Sequence, residues 1–151
     1  MTTQTHSISQ TLYEQDYALW LETTIAQLRQ GNFSSVDWEN LLEELESMGK
    51  SEKRLLVSLL TRLLENLLKL VYWESERERC ERGWKAEITT FRNQIQKLLK
   101  DSPSLKPYLQ EIFNECYLDA RESMSLLIGV DLPPSFSATL EQVLDKAWFP
   151  N

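Results

Sequence analysis

The sequence predicts an all-α fold: a single helical domain, built as a bundle or an orthogonal helical array of about six helices. Three observations predict it. Apolar residues recur at steps of three and four, and no segment shows sustained alternation. Glycine and proline are scarce, at four and five in 151 residues, so long helices are permitted. A leucine-rich run near the middle is apolar over far more than one stripe, which marks it as a central helix.

The elements follow in order. Residues 1–11 read as a frayed tail, leaving 12–151 as the helical domain. A helix from Tyr13 to about Arg29 carries Tyr17, Trp20, Leu21, Ile25 and Leu28 on one side, and Gly31 stops it. Asp37 is an expected N-cap for the next helix. Trp38, Leu41, Leu42, Leu45 and Met48 form its expected inward stripe, and Gly49 its end. Ser51 then opens the long central helix, expected over about residues 51–73. At a step of about 100° per residue, its apolar side chains from Leu55 to Val71 cover an arc of about 220°. An ordinary surface helix buries a stripe closer to about 100° wide. Trp84, Ile88, Phe91, Ile95 and Leu98 mark a fourth helix. "KDSPSLKP" breaks the chain. A fifth helix then faces inward through Leu105, Leu109, Ile112, Cys116, Ala120, Met124 and Leu127. "GVDLPPSF" is a loop, and Leu140, Val143, Leu144 and Trp148 mark a short sixth helix.

Composition narrows the function classes. The net charge is −7, which disfavours general binding to nucleic acid or to an anionic membrane. No run of apolar residues is long enough to span a bilayer. The polar start "MTTQTHSISQ" has no signal core, so a cytoplasmic location is expected. Cys80 and Cys116 form no paired motif, in keeping with a reducing compartment. Cys116 reads as core packing.

Catalytic chemistry finds little support. The only histidine is His6, so a histidine zinc site and a Glu-x-x-His di-iron site are both excluded, and no metal site is expected. No serine or cysteine can borrow a histidine base from an ordered element. The glycine-rich nucleotide loops are absent, so no cofactor is expected. Glu43 and Glu46 share a helix face at a spacing that reads as solvated. Asn66 stands out, because it falls between Leu55 and Leu59 on the helical wheel. It reads as a buried polar contact, with Glu44, Glu87 and Arg92 as its candidate partners, or as the lining of a small pocket.

Several stretches carry a family resemblance: "YEQDYALWLE" at 13–22, "DWENLLEELESMGKSEKR" at 37–54, "LLENLLKL" at 63–70, "GWKAEI" at 83–88 and "SPSLKPYL" at 102–109. The chain resembles a bacterial, largely cyanobacterial, helical family filed as domain of unknown function number twenty-nine. The resemblance implies an all-helical cytoplasmic protein and no particular activity. Many members carry histidine where this chain has Asn66. That departure speaks against a metal ligand or general base at the position, and leaves the buried polar reading intact.

Charge is segregated. Residues 77–106 hold 8 basic and 4 acidic side chains, between flanks with net charges of −6 and −5. "ESERERCERGW" at 74–84 opens this basic zone. It reads either as a solvated turn between helices, or as a docking face through Arg77, Arg79, Arg82 and Lys85. The leading expectation is therefore a non-enzymatic interaction module whose partner is a protein or a second copy of the chain. One alternative is a nucleic-acid-associated protein using residues 77–106. Another is an enzyme or small-molecule binder with a carboxylate cleft, with Glu44, Glu46 or Asn66 at its mouth.

Overall fold

The computed structural model describes residues 12–151. The tail expected over residues 1–11, His6 included, lies outside the described residues. Every regular element among the described residues is helical. A helical turn at 12–15 precedes α1 (Tyr17–Arg29), α2 (Trp38–Tyr72), α3 (Glu74–Asp101), α4 (Lys106–Ile128) and α5 (Leu140–Leu144). Short 3-10 turns occupy Phe33–Ser35 and Pro103–Leu105. The fold is all-α. The chain divides into two compact units, Met1–Lys50 and Ser51–Asn151.

In the first unit, Asp16 caps α1 by accepting from the Leu19 N–H at 3.0 Å. Gly31, at φ 73°, takes the left-handed conformation that lets the chain leave α1. Asp37 occupies the predicted cap before α2. Its carboxylate accepts from the Asn40 N–H at 3.4 Å and from the Asn40 side-chain amide at 2.6 Å. The buried residues among those described in this unit are Trp20, Thr24, Val36, Asp37 and Asn40.

The second unit has a continuous core. Leu56, Leu60, Leu63, Leu64, Leu67 and Leu68 of α2 are fully buried. They share one apolar cluster with Trp84, Ile88 and Ile95 of α3 and with Leu109, Ile112, Cys116 and Ala120 of α4. The leucine arc thus has cover from Leu56 to Leu70, while Leu55 is 46% exposed. Polar side chains tie down the chain reversals by donating to backbone carbonyls. The Arg77 guanidinium donates to the Leu70 and Val71 carbonyls, each at 2.7 Å. Arg121 donates to the Leu132 carbonyl at 2.8 Å, and Tyr117 to that of Pro133 at 2.6 Å. Arg92 and Gln96 reach the Val143 and Leu144 carbonyls at 2.7 and 3.1 Å. Each bond satisfies an acceptor that a helix end or loop would otherwise strand.

Two boundaries differ from those read in the sequence. The central helix does not begin at 51, because α2 runs through Gly49 without interruption. Only Gly31 and Gly129 have positive φ, so Gly49 keeps helical geometry and forms no cap. A mid-helix glycine costs about 1 kcal/mol relative to alanine, too little to break a 35-residue helix. The charged run at 74–84 is also not a turn: α3 begins at Glu74, one residue after α2 ends. Glu74 and Glu76 in the first turn suit the positive end of the helix dipole. Glu76–Arg79 and Glu81–Lys85 then pair along the helix, the latter at 2.7 Å.

Candidate interaction surface

The most exposed apolar row of the first unit lies on α2. Trp38 is 46% exposed, Leu42 and Leu45 are 55% each, and Met48 is 64%. These are the residues that the sequence periodicity assigned to a buried stripe. The period is right, but these side chains face solvent. Past Met48 round the helix lie the buried Asp37 and Asn40 and the half-buried Glu44, and Leu41, between Leu45 and Met48 on the wheel, is half-buried. The Trp38 indole is oriented by its N–H, which donates to the Phe33 carbonyl at 2.9 Å. Phe33 itself is 55% exposed. Contiguous exposed apolar surface beyond a few hundred Å² is uncommon on a monomer and marks contact sites.

Carboxylates lie along one side of this row. Glu43 and Glu46 directly follow Leu42 and Leu45 in sequence, and both are exposed. The unit as a whole carries 8 acidic and 2 basic side chains, a net charge of −6. Glu44 turns the other way and anchors the helix to the residues before it. It accepts from the Tyr13 hydroxyl through a short hydrogen bond, and from the Tyr17 hydroxyl at 2.6 Å. These bonds hold the Glu44 carboxyl below the usual carboxylate range. They push the Tyr13 hydroxyl up to about 12, and that of Tyr17 up as well. Tyr13, Tyr17 and Trp20 pack ring on ring, with centroids 4.8–6.0 Å apart, so they leave no cage between them.

The residues expected to form a docking face on the basic zone are largely engaged by the chain itself. Arg77 caps α2 and is half-buried, not exposed. Its fork finds two backbone carbonyls where a helix ends one residue before the next begins. Arg79 pairs with Glu76. Lys85 pairs with Glu81 and lies over the Phe149 ring, 5.4 Å from its centroid. Arg82 is exposed.

The expected polar cluster of Glu44, Asn66, Glu87 and Arg92 does not assemble. Glu44 belongs to the first unit and bonds its tyrosines. Asn66 is 4% exposed, but its amide donates within its own helix, to the Arg62 carbonyl at 2.9 Å, and its Oδ1 has no hydrogen-bond partner. Glu87 is exposed. Arg92 is fully buried, donates through Nε to Val143, and lies 5.1 Å from the Phe149 ring centroid. Its two terminal nitrogens have no hydrogen-bond partner. Burial lowers its pKa.

Two open grooves bear on the small-molecule alternative. One, of about 330 Å³, is lined by Leu55, Leu59, Gln94, Lys97, Leu98 and Asp101. The other, of about 450 Å³, runs along α1 beside Glu22, Ile25 and Arg29. Neither has Glu44, Glu46 or Asn66 in its lining. Among the described residues, no three His, Cys, Asp or Glu side chains converge as a metal-binding group, and no helix is long and apolar enough to cross a membrane.

Comparison with known proteins returns no matching curated protein and no matching solved structure. A family model does match, over residues 12–149, nearly the whole described chain. The chain therefore belongs to the family described as domain of unknown function DUF29.

Proposed function

We propose that this chain is a non-enzymatic protein-interaction module of the cytoplasm, a single helical domain over residues 12–151 that uses the exposed row on α2 as its contact surface. The observation that carries this reading is the exposure of Trp38, Leu42, Leu45 and Met48 together on one helix face. Apolar anchors at helical spacing are the form in which one helix presents itself to a partner. The basic zone supports a nucleic-acid reading less well, because Arg77, Arg79 and Lys85 already serve contacts within the chain.

Photo-crosslinking tests the proposal. A photoreactive side chain at position 45 is expected to give a discrete adduct in the native host, and one at the exposed Gln110 is not. Adding Leu42→Glu should remove the adduct while helical circular dichroism stays unchanged. Equal labelling from both positions, or none from position 45, would remove the surface from consideration.

A further inference from the structure

We infer that the Trp38–Met48 face docks a basic amphipathic helix of another protein. This rests on the interaction-module reading above and adds the chemistry of the partner. Three observations support it.

The anchors come first. Trp38, Leu42 and Leu45 follow at steps of four and three, and Met48 lies three further on, so they span about 120° of the helix surface at about 100° per residue. A narrow stripe along about three turns matches one facing helix rather than a flat surface. The chemistry of the anchors suits this use. Trp38 is held in place by its indole bond to Phe33, and a tethered aromatic loses little side-chain entropy on binding. Met48 is flexible and fills irregular contacts.

Charge comes second. Glu46 and, further round, Glu43 lie along one side of the row, and the unit has a net charge of −6 with only Arg29 and Lys50 as cations. An apolar seam with carboxylates along one side, on a unit of net negative charge, favours a partner whose own seam is edged by Lys or Arg, through both attraction and faster encounter.

The third feature sets a second copy of the chain aside. Pairing this face with itself would bring together two units that each carry a net charge of −6. In the basic zone of a second copy, Arg77 is taken up by the Leu70 and Val71 carbonyls and Arg79 pairs with Glu76, while Arg82 is exposed.

The test uses the full chain and two labelled synthetic peptides, each a leucine-seamed amphipathic helix, one with lysine on its polar face and one with glutamate. Fluorescence anisotropy is expected to show binding of the lysine peptide and at least about tenfold weaker binding of the glutamate peptide. Raising salt from a low level to about 0.5 M should weaken the lysine peptide, because exposed charges are then screened. Leu42→Glu with Leu45→Glu should abolish binding. These changes add negative charge, so the loss would report the apolar seam and not bulk attraction. Glu43→Gln with Glu46→Gln should narrow the difference between the peptides.

Four results would overturn the inference. Equal affinity for both peptides would mean that the face does not select charge. Lysine-peptide binding that survives the Leu42→Glu and Leu45→Glu changes would be general attraction to an acidic protein. A dimer in sedimentation that these same changes dissolve would make the occupant a second copy. Binding of neither peptide, with crosslinking from position 45 intact, would refute the basic-helix chemistry and leave the interaction module standing.

Discussion

Leu45 and Leu64 belong to the same helix and follow the same spacing rule, yet one is 55% exposed and the other fully buried. The two units differ accordingly. The first carries a net charge of −6 in 50 residues and leaves an apolar row in solvent. The second carries 15 acidic and 14 basic side chains, a net of −1 in 101 residues, and buries the leucines of α2 from Leu56 to Leu70. Hydrophobic period tells which side chains share a face. It does not tell whether anything covers that face. In the second unit, α3 and α4 supply the cover. In the first, Trp38, Leu42, Leu45 and Met48 are left exposed among the described residues. Where the same pattern is closed it serves stability, and where it is open it is available for recognition.

The largest expected effect follows directly. Leu64→Ala should destabilise the chain by about 2–5 kcal/mol, the range for emptying a buried leucine site. Leu45→Ala should change stability by no more than about 0.5 kcal/mol. Denaturant melts of the two variants measure this difference. Similar losses at both positions would mean that Leu45 is covered in solution and that the row is part of a core.

Next in size is the reversal between α2 and α3. Arg77→Met should cost about 1–3 kcal/mol, because two carbonyls lose a charged donor. Arg82→Glu, on the exposed side of the same helix, should leave the melting temperature nearly unchanged. A melt in which Arg82→Glu is the more damaging change would refute the capping role.

The errors in the sequence reading have the same physical root as this pair. Helix existence and apolar period were legible, from Trp20 to Leu144. The breaks at Gly31 and Gly129 were legible too, because positive φ favours glycine. Gly49 has the same identity but helical dihedrals, and composition does not separate the two cases. Arg77 was misread because its acceptors are backbone carbonyls, which every residue has and which leave no mark in sequence. Likewise, nothing in the spacing of Tyr13, Tyr17 and Glu44 announces that two hydroxyls meet one carboxylate. The exposure of Leu42 and Leu45 is likewise not carried by their spacing, which matches that of the buried leucines.

Asn66 is expected to give a smaller effect, in the opposite direction. Its Oδ1 is buried without a hydrogen-bond partner, and its amide bonds only a carbonyl of its own helix. Asn66→Leu should therefore stabilise the second unit by about 1 kcal/mol, by removing a desolvated polar atom from a leucine surround. A raised denaturant midpoint is the expected readout. A fall of similar size would show that the amide oxygen has a partner worth keeping.

The smallest effect belongs to the first unit and to pH. Glu44 is held below its ordinary value of 4.5, so its contribution is complete above that value and is lost as pH falls through the lowered one. Tyr13 is raised from 10.0 to about 12, so its contribution is complete below 10 and is lost as pH rises toward 12. The tyrosine–carboxylate contact should therefore support the first unit across the whole neutral range and weaken at both extremes. Both groups lie at the surface, where solvent screens the interaction, so the change should be modest. Comparing the chain with its Tyr13→Phe and Tyr17→Phe double variant isolates the contact, since phenylalanine keeps the ring packing and removes both donors. The stability difference between the two proteins should be constant at neutral pH and shrink below 4.5. A difference that stays level into the acid range would mean that the hydroxyls do not hold the Glu44 carboxylate in its charged form.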